Sequence, residues 1–148
     1  MPDEPSIRRA TPEDADAVTG VFTATRAEMT YLPLLHTAEE DRAFFGVVVE
    51  SCETLVAEAG GRVVGFAALS ATRLEHLYVC PEHQSAGIGT RLLARAKALR
   101  PDGLDLWVFQ PNEGARRFYE RQGFRLVEAT DGAGNEERVP DARYAWSP

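Results

Sequence analysis

The stretch Leu77-Tyr78-Val79-Cys80-Pro81-Glu82-His83-Gln84-Ser85-Ala86-Gly87-Ile88-Gly89-Thr90-Arg91-Leu92-Leu93 carries the most structural information in the chain. It reads as the end of an apolar strand, a glycine-containing loop and the first turns of a helix. Pro81 has no N–H to give a sheet and helps to end pairing there. A helix leaves its first N–H groups without intrahelical partners, and its dipole adds positive potential at that end. A strand-to-helix junction of this kind therefore suits an anion such as a pyrophosphate. Gly87 and Gly89 allow close backbone approach and unusual φ values. Two nucleotide signatures are excluded. A P-loop needs Lys-Ser/Thr after its last glycine, where Thr90-Arg91 stand, and a dinucleotide fingerprint needs a third glycine where Leu92 stands. Taken alone, Gly-x-Gly is a weak signal, with a plain tight strand-to-helix turn as the alternative.

Upstream, Ser6 to Arg9 reads as a short strand. Thr11-Pro12-Glu13-Asp14 reads as a helix start, followed by Ala15, Val18, Phe22 and Thr25 at helical spacing. Met29 to His36 is irregular. Thr37-Ala38-Glu39-Glu40 predicts a capping box, with Phe44, Val47 and Val48 as the apolar face of the second helix. Gly60-Gly61 predicts a hairpin turn between strands 53–59 and 62–70. The second of these strands is apolar on both faces, so it belongs in the middle of a sheet. Strand 73–79 follows.

Downstream, a helix runs from the glycine loop to about Arg100 and is broken by Pro101-Asp102-Gly103. Strand 104–109, helix 112–122 stopped by Gly123, strand 124–129, polar loop 130–141 and strand 143–146 complete the chain. The order β-α-α-β-β-β-α-β-α-β-β predicts an α+β (mixed α/β) fold: a mixed sheet, with helices on both faces.

The whole chain, residues 1–148, is expected to form one domain. Its 44% hydrophobic and 26% charged composition fits a folded core. A net charge of −7 argues against general nucleic-acid binding. It suits either a cationic substrate or simple solubility. Cys52 and Cys80 make neither a disulfide framework nor a zinc set, and both are expected to be free thiols. No apolar run approaches the ~20 residues of a membrane span. The acidic N-terminus has no signal-peptide core. A cytoplasmic protein with no membrane, nucleic-acid or metal partner is expected.

The glycine loop has company. Gln84, Gly87 and Gly89 fill a pattern resembling the Gln/Arg-x-x-Gly-x-Gly/Ala signature of the GNAT (Gcn5-related) N-acetyltransferase superfamily. Leu77-Tyr78-Val79-x-Pro81 also resembles a segment frequent there. Downstream, Asn112-x-x-Ala115-x-x-Phe118-Tyr119-Glu120-x-x-Gly123-Phe124 is similar to the superfamily's C-terminal motif along its length. The resemblance covers roughly residues 5–130. Ser85 and Ala86 depart from it, standing where many members have a glycine and then a basic residue.

The resemblance implies the GNAT acyl-CoA N-acyltransferase fold, with a mostly antiparallel central sheet splayed between strands 4 and 5. It implies acetyl-CoA as co-substrate, no metal, and direct transfer of acetyl to a primary amine of a small molecule or protein in a ternary complex. The expected cofactor-binding residues are Leu77, Tyr78, Val79, Gln84, Ser85, Ala86, Gly87, Ile88, Gly89, Thr90 and Asn112. Asn112 would touch the pantetheine arm or cap its helix. Arg91 either neutralises CoA phosphates or is an exposed helix residue. Tyr119 falls at the tyrosine beside the CoA sulfur, where a phenol protonated at neutral pH can donate a proton. Glu75 is the expected general base, sharing a face with Leu77 and Val79 by alternation. His76, on the opposite face, is either a base or a core histidine.

Segment 29–36 is implied to wall the acceptor site, making Tyr31 and His36 substrate-binding candidates, with His36 an alternative base. The loop Asp131 to Glu137 binds a cationic amine or is a solvated hairpin. Trp107 and Phe109 line the acceptor cavity or pack against a helix. A homodimer is expected from the resemblance alone. Two other readings are a non-catalytic acetyl-CoA sensor of the same fold and a transferase of a larger acyl group.

Overall fold

Both residues of the Gly60-Gly61 turn have positive φ, 60° and 79°, as a tight two-residue hairpin requires. They join β2 (Glu53–Ala59) to β3 (Arg62–Leu69). The computed structural model describes residues 5–84 and 86–148. β1 (Ser6–Arg9) and β4 (Leu74–Val79) flank that hairpin in a four-stranded antiparallel sheet of order β1-β2-β3-β4. From Val64 to Leu69, β3 is wholly buried, as a central strand should be. A second antiparallel sheet has the order β5-β7-β6, from β5 (Leu104–Phe109), β6 (Arg125–Ala129) and β7 (Asp141–Trp146).

The two sheets meet at one parallel bridge, Arg73 to Asp105. The Asp105 N–H donates to the Thr72 carbonyl at 3.2 Å. The Arg73 guanidinium grips the Asp105 carboxylate with two hydrogen bonds of 2.8 and 2.9 Å. Beyond this clasp β4 and β5 share no ladder among the described residues. The expected mixed sheet is thus two antiparallel sheets hinged at a parallel contact and splayed between strands 4 and 5.

Helices cover both faces. α1 (Ala15–Arg26) and α2 (Ala38–Ser51) pack Val18, Val21, Phe22, Phe45, Val48 and Val49 against Val56, Phe66 and Ala68. α3 (Ile88–Leu99) packs Ile88, Leu92, Leu93 and Ala96 against Leu55, Ala57, Ala67 and Leu69 on the other face. α4 (Glu113–Arg121) joins that second core through Tyr119.

Two local expectations change. Pro12–Asp14 forms a 3-10 turn ahead of α1, and the Asp14 carboxylate accepts from the Thr11 N–H at 2.7 Å and from Arg8 at 2.8 Å. The α2 capping box forms as expected, Thr37 and Glu40 serving each other's backbone N–H. The buried face of α2, however, is Phe45, Val48 and Val49, while Phe44 and Val47 are exposed.

Candidate active site

The splay between β4 and β5 opens a cleft of ≈ 940 Å³. The N-terminus of α3, the end of β4, α4 and the segment after α1 all border it. The strand-to-helix turn supplies its first wall. Gly87 caps α3 with φ +83°, a conformation that L side chains rarely adopt. The first helical hydrogen bond runs from the Arg91 N–H to the Gly87 carbonyl at 3.0 Å. The N–H groups of Ile88, Gly89 and Thr90 precede it, so they have no intrahelical acceptor. A Cβ built on Gly87 would meet nothing within 4 Å, so the turn faces open space. On Gly89 it would lie 3.6 Å from the Phe118 ring, so this glycine lets α4 approach α3.

Among the sequence candidates here, Gln84, Gly87, Gly89 and Thr90 border the cleft. Ile88 has only its backbone to offer, because its side chain is buried in the core. Ala86 is exposed beside the turn, and Ser85 lies outside the described residues. Arg91 turns away from the phosphate role considered for it: its guanidinium donates to the Pro5 carbonyl at 2.6 Å.

β4 supplies the second wall. The Cys80 N–H donates to the Val64 carbonyl at 2.8 Å. By antiparallel alternation Tyr78 also points its backbone groups toward β3, so Leu77 and Val79 point theirs toward the splay. The Val79 carbonyl accepts from the Gln84 side chain at 2.9 Å, while the Thr25 hydroxyl, 3.4 Å away, donates to the Val21 carbonyl at 2.8 Å. The N–H groups of Leu77 and Val79 have no partner among the described residues. The Tyr78 ring turns to the helix face, edge-on to Phe22 with centroids 5.5 Å apart.

Glu75 is placed differently from the expectation. The β3–β4 register runs Ala68 to His76 and then Leu69 to Leu74, so Glu75 is the extra residue of a bulge. The alternation that would put Glu75 beside Leu77 and Val79 breaks, and Leu74 takes the core position on that face. Glu75 is exposed, and it still borders the cleft. His76 sits among the rings of Phe44, Phe45, Phe66 and Tyr78. Its Nδ1 is buried without a partner among the described residues. Burial pulls its pKa down to about 4, which keeps the ring neutral near pH 7.

α4 delivers Tyr119. The Asn112 side chain caps this helix, its oxygen accepting from the Ala115 N–H at 3.1 Å, and Asn112 also borders the cleft. Tyr119 packs between Phe118 and Phe124 with centroids 5.2 and 5.6 Å away. Only 8% of its surface is exposed. Burial, with a smaller push from Tyr78, raises its pKa above the ordinary tyrosine value, so it stays protonated at neutral pH.

The opposite end is walled by Glu28, Met29, Tyr31, Trp107 and Phe109. Tyr31 lies edge-on to Phe109 at 6.3 Å, and its buried hydroxyl makes no regular hydrogen bond among the described residues. Desolvation raises its pKa, against the pull of the Arg26 charge and of the nearby Asn112 side chain. His36 is not brought to this wall. It is exposed, and its Nε2 bonds the Glu136 carboxylate at 2.8 Å. That contact and an Arg26–Glu137 ion pair at 3.2 Å fasten loop 130–140 to the end of α1 and the segment behind it. These pairs, and the border role of Glu28, were not foreseen. They join residues about a hundred positions apart, so no local periodicity marks them. No group of three or more His, Cys, Asp or Glu among the described residues is placed to hold a metal, and no described helix is long and apolar enough to cross a membrane.

Comparison with known proteins agrees with this architecture. The family model described as an acetyltransferase (GNAT) domain matches residues 50–126. The chain is 31% identical over 135 residues to the uncharacterized N-acetyltransferase YhfO of Bacillus subtilis, covering 80% of this chain and 89% of that protein. It is 33% identical over 97 residues to the peptidyl-lysine N-acetyltransferase YiaC of Escherichia coli, covering 65% and 64%. A solved GCN5-related N-acetyltransferase from Rhodopseudomonas palustris superposes with a TM-score of 0.82 at 24% identity, covering 100% of this chain and 99% of that one. The chain spans only about a quarter to two thirds of the length of the first curated relatives it matches.

Proposed function

Because the chain belongs to the GNAT acetyltransferase family, we propose that it moves the acetyl group of acetyl-CoA onto a primary amine held in the same cleft. One observation supports this most: a single cleft gathers an open helix N-terminus, an unpaired strand edge and a protonated buried tyrosine. The donor supplies an activated thioester. In this reading residues 1–148 act as one domain and the amine attacks in a ternary complex.

The N–H groups of Ile88, Gly89 and Thr90 hold the diphosphate, with the open face of Gly87 giving it room. The pantetheine lies along Leu77 and Val79, whose free N–H groups point into the splay, and beside Asn112. A free N–H on that edge also stabilises negative charge on the carbonyl oxygen. Tyr119 keeps its proton at neutral pH and gives it to the departing sulfur. Glu75, on its bulge at the cleft's edge, takes the proton from the amine, directly or through water. The acceptor lies against Tyr31, Trp107 and Phe109. His36 acts on the wall from outside, by holding loop 130–140.

The test is thiol release from acetyl-CoA across a panel of amines, with mass spectrometry of the products. Amine-dependent CoA release with an N-acetylated product supports the reading. Tight CoA binding with no amine accelerating release would instead indicate a sensor.

A further inference from the structure

Trp107, Val108 and Phe109 of β5 border two cavities. One is the cleft. The other, of ≈ 470 Å³, lies under loop 130–140 and is walled by Thr130, Asn135, Glu137 and Asp141. The two spaces share the β5 side chains as a common rim. Trp107 remains 39% exposed there, although its strand neighbours Leu106 and Val108 are buried.

The loop over this second cavity is built to hold a shape. Gly132 has φ +86°, and a Cβ on it would lie 2.4 Å from the Val139 carbonyl carbon, so the chain crosses itself where only glycine fits. The Asn135 amide donates to the Val139 carbonyl at 2.7 Å and to one Asp141 oxygen at 3.1 Å. The Thr130 hydroxyl bonds the other Asp141 oxygen. Arg26 and His36 then fasten the loop from outside through Glu137 and Glu136.

The chemistry of the lining is one-sided. Two carboxylates, Glu137 and Asp141, face two aromatic rings, and no basic side chain among the described residues borders the space. Arg26 offsets one of the two charges from outside. Aromatic faces and carboxylates together attract a cation that can also donate hydrogen bonds. At the seam with the cleft, Tyr31 packs on Phe109, and its buried hydroxyl, near the Asn112 side chain, makes no regular hydrogen bond among the described residues. A buried unpaired hydroxyl is costly, and a ligand group offering a partner removes that cost.

We propose that this cavity is a distal acceptor subsite, and that the acceptor is a small molecule carrying two amines. One amine lies in the cleft, and the second, as an ammonium, sits between the rings of Trp107 and Phe109 and the carboxylates of Glu137 and Asp141. This deepens the transfer reading and rests on it for the identity of the first amine. The binding claim can be measured separately.

Calorimetry on the full chain saturated with CoA compares putrescine with n-butylamine, which has the same carbon chain and one amine. Putrescine is expected to bind about tenfold more tightly, the scale of one well-placed cation–aromatic and carboxylate contact. Glu137→Gln and Asp141→Asn should each bring the ratio to about one, with CoA affinity unchanged as the check on folding. Equal affinities in the unaltered protein would overturn the proposal, and so would a preference that survives both substitutions. A lysine-containing peptide that binds as well as putrescine, and is indifferent to both substitutions, would also overturn it. With acetyl-CoA supplied in place of CoA, discrimination between the amines without acetylated product would refute the transfer reading and leave the subsite standing. Equal acetylation of both amines at equal affinity would do the reverse.

Discussion

His76 offers a test of the α1–α2 face that needs no ligand. Its ring is packed among Phe44, Phe45, Phe66 and Tyr78, with Nδ1 unpaired. Burial lowers its pKa from 6.5 to about 4. The unfolded chain therefore takes up a proton between those values while the folded protein does not. The sign follows from linkage: stability rises with pH through this window and is lost as pH falls from about 6.5 toward 4. The full difference corresponds to about 3 kcal/mol, and about 2 kcal/mol of it separates pH 7 from pH 5. His76→Leu keeps an apolar side chain of similar bulk and removes the titration. Urea unfolding at both pH values, for both proteins, isolates the effect. His36 acts with the opposite sign and in the window above 6.5. Its pKa is raised by Glu136, so its contribution is present below 6.5 and is lost as pH rises through the folded value. It is common to both proteins and cancels in the comparison. The unaltered protein should lose about 2 kcal/mol more than the variant on acidification. Parallel pH dependence of the two would refute the buried neutral imidazole.

Gly87→Val forces a β-branched residue to φ +83° and fills the open turn, so CoA affinity measured by calorimetry should fall about tenfold or more. Tyr119→Phe should lower turnover about a hundredfold while CoA affinity changes less than about twofold, because the ring remains and only the proton donor goes. Asp14, whose pKa is held down to about 2 chiefly by its hydrogen bond to Arg8, contributes stability above about 3.8 that is lost as pH falls toward 2. Asp14→Asn should cost about 1–2 kcal/mol near neutral pH in urea titrations, allowing for the open side of Arg8, and little near pH 2.

Much of this architecture is legible in local pattern. Gly60-Gly61, the Thr37–Glu40 box and the Gly87 turn each state a backbone requirement that a few residues settle, and each forms as read. Asn112 caps α4 for the same reason. The misreadings have physical causes. Phe44, Val47 and Val48 have helical spacing, and so do Phe45, Val48 and Val49; the run is apolar on both sides, and the sheet beneath α2 chooses the second set. Strand alternation put Glu75 beside Leu77, but a bulge inserts one residue and shifts everything before it. His36 and loop 130–140 carry polar residues whose partners lie far along the chain, so their ion pairs have no local signature. The sequence leaves this loop either an amine binder or a solvated hairpin, because nothing local shows that Asn135 and Thr130 bond Asp141 and hold its shape.

The most direct measurement is a titration of the isotope-labelled protein with CoA, followed through its backbone amide resonances. The largest shifts should fall on Ile88, Gly89 and Thr90 at the start of α3 and on Leu77 and Val79 at the open edge of β4, with Leu126 and Val127 of β6 nearly unmoved. Saturable CoA binding that leaves the α3 amides unshifted would contradict the account at its root.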